Sequence, residues 1–116
     1  MKNSGKLIIF SDIHYAPVAQ NETYKGVQRK LTKYAPEIAN KLVEVVNSVK
    51  PDAVICLGDL IQDAPTYEED VQNLKHIWSV FKKFNAPFYS VAGNHDLLRI
   101  SRKEVSDNMG YNYHNF

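Results

Sequence analysis

Three short apolar runs, each closed by a cluster of acidic, amide or histidine residues, constrain this chain more than any other feature. Leu7-Ile8-Ile9-Phe10 leads to Asp12-Ile13-His14. Ala53-Val54-Ile55-Cys56-Leu57 leads to Gly58-Asp59. Phe88-Tyr89-Ser90-Val91-Ala92 leads to Gly93-Asn94-His95-Asp96. Short continuous apolar runs of this kind read as buried strands. Polar groups at the carboxyl ends of neighbouring parallel strands converge on one crevice, where open α/β sheets bind ligands. Oxygen and imidazole donors gathered there suit a hard or borderline divalent metal ion.

The stretches between the runs read as connections of the right kind. A long polar loop from Asp12 to about Lys25 follows the first strand (Lys6 to Ser11), and its length suggests a functional loop. Ile38, Leu42, Val45 or Val46, and Val49 recur at helical spacing, so 36–49 is expected to be a helix with Pro36 in its first turn. Lys50-Pro51-Asp52 turns the chain into the second strand, Ala53 to Leu57. Thr66 and Glu69 form a capping-box pattern, followed by an apolar face of Val71, Leu74, Trp78 and Phe81 flanked by Ile77 and Phe84. Lys82 and Lys83 complement the dipole at the end of that helix. The third strand is Phe88 to Ala92. A short helix is expected from Leu97 to about Met109, ended by Gly110, with a fourth strand starting in Tyr111 to Phe116. The order βαβαβ, with one more helix and strand, implies an α/β fold with a parallel sheet. No repeat or linker divides the chain, so a single domain is expected over residues 1–116.

Composition narrows the function classes. The net charge of +1 gives no sign of a nucleic-acid surface, and the basic residues around 25–33 and 99–103 read as solvated faces. No segment approaches a membrane span and no signal-peptide pattern is visible, so a soluble, cytoplasmic protein is expected. The one cysteine, Cys56, lies inside a buried strand and fits core packing better than nucleophilic chemistry.

Each cluster offers specific chemistry. Asp12 and His14 are two residues apart, and in extended backbone both would point to one side, with Ile13 turned to the core. Gly58 permits a tight turn or a close approach, and the two oxygens of Asp59 can bridge two ions. Ions of two-metal hydrolytic sites lie ~3.5–4 Å apart, within reach of one carboxylate. Asn94 offers a neutral oxygen ligand, and His95 an imidazole able to give a proton to a phosphate oxygen or leaving group. Asp96 reads first as a cap on the following helix. Taken alone, each cluster also reads as turn and cap residues; in order at three strand ends they point to a metal site.

The combination Ser11-Asp12-Ile13-His14, Leu57-Gly58-Asp59-Leu60-Ile61 and Ala92-Gly93-Asn94-His95-Asp96 resembles the calcineurin-like metallophosphoesterases across essentially the whole chain. The resemblance implies the N-terminal half of that α/β sandwich. It also implies hydrolysis of phosphate mono- or diesters by a metal-bound hydroxide at a centre of two divalent ions (manganese, iron or zinc). By the same resemblance Asp12 and His14 would bind the first ion, Asp59 would bridge both, Asn94 would bind the second, and His95 would sit near the leaving group as a proton donor or phosphate stabiliser. Asp63 would orient His95, although it stands one residue later than the usual partner. Asp96 is carried as a second supporting residue.

The departures are as specific as the matches. The family's downstream Gly-His-x-His is not in the chain; His76 and His114 stand in the wrong contexts and are expected to be structural or exposed. The chain is therefore expected to be a partial domain, the C-terminal half absent. Gly58-Asp59-Leu60-Ile61-Gln62-Asp63 departs from the protein Ser/Thr phosphatase pattern, and Gln62 replaces the tyrosine ligand of purple acid phosphatases. Groups similar to cyclic-nucleotide phosphodiesterases, nucleotide pyrophosphatases and nucleases remain, with a small phosphate ester or nucleotide as substrate. The alternative is a non-catalytic remnant that binds metal or phosphate or serves as an interaction module, associating through an exposed sheet edge. A flavodoxin-like nucleotide binder is disfavoured, because no glycine-rich loop follows the first strand.

Overall fold

The computed structural model describes residues 4–17, 23–25, 27–28 and 32–109. Three parallel strands and three helices carry the fold: β1 (Leu7–Phe10), α1 (Ala35–Val49), β4 (Ala53–Cys56), α2 (Tyr67–Phe81), β5 (Phe88–Ser90) and α3 (Arg102–Met109). The end of the expected long loop holds β2 (Thr23–Tyr24), which pairs antiparallel with β3 (Val27–Gln28) just beyond it, and a 3-10 turn follows at Thr32–Tyr34. The two-residue strands are too short for periodicity to reveal them. The expected fourth strand and His114 lie outside the described residues.

The sheet order is β1-β4-β5, with Leu7 opposite Ala53 and Val54 opposite Phe88. This order brings all three strand-end clusters side by side, as the α/β reading requires. Strand alternation sends Ile8, Phe10, Val54, Cys56 and Phe88 to one face, where α1 and α2 pack. An aromatic cluster fills that interface. The Phe10 and Phe81 rings lie 5.1 Å apart, Phe81 and Phe84 5.3 Å, and Trp78 and Phe88 4.9 Å. The opposite face carries Leu7, Ile9, Tyr89 and, beyond the strand ends, Leu57 and Val91, all exposed.

Helix ends follow local chemistry. Pro36 sits in the first turn of α1, and Lys50 closes it in the left-handed conformation, its N–H bonded to the Val46 carbonyl. The buried stripe of α1 differs from expectation: Ala35, Ala39, Val43 and Val46 face the core, while Ile38, Val45 and Val49 are exposed. The two alanines allow close packing, so burial follows small residues and the larger apolar side chains form a second stripe. The Thr66–Glu69 capping box forms as expected, with Glu69 N–H donating to Thr66 Oγ1 at 3.2 Å. On α2, Leu74, Ile77, Trp78 and Phe81 are buried and Val71 is partly buried. α3 begins five residues later than Leu97, because Ser101 and Glu104 form a second capping box: Ser101 N–H donates to Glu104 Oε2 at 2.8 Å and Glu104 N–H to Ser101 Oγ at 3.2 Å.

Candidate metal centre

The ends of β1 and β4 remain zipped past the strands themselves. Leu57 N–H donates to the Phe10 carbonyl, Asp12 N–H to Gly58, His14 N–H to Asp59, Tyr15 N–H to Leu60 and Gln62 N–H to Tyr15, at 2.9–3.1 Å. Tyr15 and Ile61 form one further parallel bridge. The backbone along this zipper is not extended. Asp12 (φ 61°), His14 (φ 50°) and Asp59 (φ 55°) all lie in the left-handed region. The expected reason for the Asp12–His14 pairing, alternation along a strand, is therefore incorrect. Two left-handed kinks, each with its N–H tied to β4's extension, bring the side chains together instead. His14 Nε2 lies 3.2 Å from Asp12 Oδ1, and Ile13 packs against the core.

Glycine geometry sets the approach of the third strand end. Gly58 has φ 109°, and a Cβ there would stand 2.6 Å from Gly93 N. A Cβ on Gly93 would in turn collide with the Asp59 carboxylate and backbone. Only glycine at both positions lets the two turns touch. That contact brings His95 N–H within 3.0 Å of Asp59 Oδ1.

The result is one constellation. Ligand atoms of His14, Asp59 and His95 all lie within 4.8 Å of one another. The His14 and His95 rings meet edge to face at 5.0 Å. Asp12 stands beside this triad through His14, with its carboxylate largely exposed and bonded to the Ser11 hydroxyl. Asn94 occupies the adjoining exposed turn. Asp63 Oδ1 lies 2.6 Å from His95 Nδ1. A carboxylate on one ring nitrogen fixes the tautomer and leaves Nε2 for other chemistry.

Asp96 does not cap a helix, contrary to expectation. It is fully buried; Oδ2 accepts from Gly93 N–H at 2.9 Å and Oδ1 from Ile61 N–H at 3.1 Å. It ties the β4 and β5 loops together. Burial pushes its carboxyl above the usual range, and the neighbouring Asp59 charge adds to this against the backbone hydrogen bonds from Gly93, Ile61 and Asp59. Cys56 is buried in β4, and burial pushes its thiol up to about 11, which fits packing rather than nucleophilic chemistry. His76 is exposed and stacks on Tyr15 at 5.1 Å, away from the site.

Two imidazoles, a central carboxylate and flanking carboxylate and amide oxygens are donors that fit a manganese-, iron- or zinc-type ion. Of the triad, His14 and Asp59 would serve as ligands, while His95, its Nδ1 held by Asp63, stands beside them. Sequence reasoning missed Ser11, and it missed Asp70 and Arg99, which brace the loop behind Asp63. Their only signal was position: a carboxylate on α2's first turn and a basic residue after the third cluster.

Comparison with known proteins adds a family and a matching fold. Residues 5–116 match the family model for calcineurin-like phosphoesterases. A manganese-dependent ADP-ribose/CDP-alcohol diphosphatase from Arabidopsis thaliana is 26% identical over 98 residues, covering 84% of this chain and 31% of that protein. The fold matches the crystal structure of a dimetal phosphatase from Danio rerio with a TM-score of 0.76 at 19% identity, over 89% of this chain and 33% of that one. The chain thus spans about a third of the length of these relatives.

Proposed function

Because the chain belongs to the calcineurin-like phosphoesterase family, we propose that it carries the N-terminal share of a two-metal phosphoesterase site. The observation that carries this reading is the convergence of His14, Asp59 and His95 from three different strand ends. Asp12 and His14 would hold one ion, Asn94 the other, and Asp59 would lie between them. Divalent ions at such a site polarise the phosphoryl group and make bound water acidic. The chain's own part is to fix these donors and to present His95. Asp63 holds Nδ1 of that ring, so a doubly protonated His95 would pass its Nε2 proton toward a leaving oxygen. Asp96 and the two glycines keep the turns in register.

For substrate class, the plant relative acts as a diphosphatase on ADP-ribose and CDP-alcohols. We place the present protein nearest the nucleotide-pyrophosphatase group, with a small nucleotide-containing phosphate ester or anhydride as substrate and manganese as the first ion to try.

The full protein, supplied with manganese, is expected to hydrolyse an activated phosphodiester or a nucleoside diphosphate derivative. Asp59→Asn should reduce turnover by more than the ~10–100-fold typical of losing a supporting residue. Unchanged turnover in that variant would overturn the assignment. A second reading, a non-catalytic interaction module, is favoured by the bare apolar face of the sheet. Metal analysis separates the two, since two ions per chain excludes the module and none, with no turnover, supports it.

A further inference from the structure

Asp63 orients His95, yet Asp63 itself sits in the irregular stretch between β4 and α2. Beyond the bridge at Ile61, backbone there has no ladder to hold it. Gln62 is pinned by its N–H to the Tyr15 carbonyl, and Pro65 has no N–H to give. Ala64 is the remaining neighbour, and both of its main-chain groups are captured by side chains. Its N–H donates to Asp70 Oδ1 at 2.8 Å, and its carbonyl accepts from Arg99 Nη1 at 2.7 Å. Arg99 Nη1 also meets Asp70 Oδ2 at 2.9 Å, closing a ring.

We propose that the Asp70–Arg99 ion pair is a positioning device: by clamping Ala64 it holds the Asp63 carboxylate on His95. The placement of its members supports this. Asp70 is 1% exposed on the first turn of α2, where a negative charge is favoured by the helix dipole. Arg99 lies four residues beyond His95, so the clamp joins the same two segments that the Asp63–His95 bond joins. Asp70 is buried while the Arg99 side chain is 31% exposed; such ion pairs add little stability, and fixed geometry is what this one supplies. Neither residue touches the reacting groups. The inference rests on the phosphoesterase reading for its catalytic consequence, but not for the geometry.

The test uses the full chain, with and without manganese. In the metal-free protein, the His95 Nδ1 proton held by Asp63 should give a downfield, slowly exchanging resonance. Arg99→Met is expected to lose that resonance, with the fold kept by circular dichroism. With manganese and an activated phosphodiester it should lower kcat by at least about tenfold, leaving KM within about twofold. Arg99→Lys, which keeps a donor and the charge, should recover part of both. Should Arg99→Met fail to fold, Asp70→Asn carries the same test, because it keeps an acceptor for Ala64 and releases Arg99. An intact resonance in a folded Arg99→Met or Asp70→Asn overturns the clamp. If the parent protein binds no manganese and shows no turnover, the phosphoesterase reading falls, while the resonance still decides the clamp.

Discussion

Three of the candidate ligands, Asp12, His14 and Asp59, occupy left-handed backbone. For residues other than glycine this costs ~1–2 kcal/mol each, less for Asp and His than for branched side chains. Such strain persists where the surrounding structure over-determines it and where the position serves function. Here the zipper of hydrogen bonds between residues 12–15 and 58–62 over-determines it. Asp12 is the clean place to separate the two demands, since its carboxylate is largely exposed. Asp12→Gly should raise the stability of the metal-free protein by up to about 1 kcal/mol in urea unfolding. The same change should weaken manganese binding measured by calorimetry. A loss of stability would show that the Asp12 side chain, rather than metal binding, accounts for its presence.

Among the helices, α3 is the shortest and depends most on its cap. Glu104 gathers the Ser101 hydroxyl, the Tyr67 hydroxyl and the Ser101 N–H, and these hold its carboxyl down at about 2. A carboxyl depressed in the folded state adds stability above its unfolded value of ~4.3, and that stability is lost as pH falls toward the folded value. Melting temperature should therefore drop between about pH 5 and about pH 2, and Glu104→Gln should flatten part of that slope. An unchanged slope would remove the cap from the account of acid stability. This helix also marks where sequence reading succeeds and fails. The Thr66–Glu69 and Ser101–Glu104 boxes have the same spacing, but only the first precedes a clear apolar stripe; α3 buries just Val105 and Met109, too few to announce a start. The strands and their parallel order were legible because an apolar run and a cluster of donors coincide at each strand end. The buried stripe of α1 was not, since Ile38 and Val45 outrank Ala35 and Ala39 on any hydrophobicity scale while packing favours the alanines. The clusters at Asp12, Asp59 and His95 were visible, but the left-handed turns that assemble them were not. Asp96 was legible as a supporting residue, but not its partners Gly93 and Ile61, which come from both loops.

At the scale of the molecule, the described residues clad the sheet on one side only. Helices cover Phe10, Val54 and Phe88, while Leu7, Ile9, Leu57, Tyr89 and Val91 stay exposed on the other face. Contiguous apolar patches of that kind mark interaction surfaces or aggregation hazards. The apolar exposure lies on the face of the sheet, whereas the sequence pointed to its edge. The 116-residue chain should bind the dye ANS, and a Leu7→Lys/Tyr89→Glu double variant should bind markedly less at an unchanged melting temperature. Equal dye binding by both would show that the face is not what the dye senses. One donor-bearing rim and one bare side also make the chain amphiphilic as a whole body. At an air–water boundary it should lie flat, Ile9 and Tyr89 toward the air, and behave as a surface-active particle.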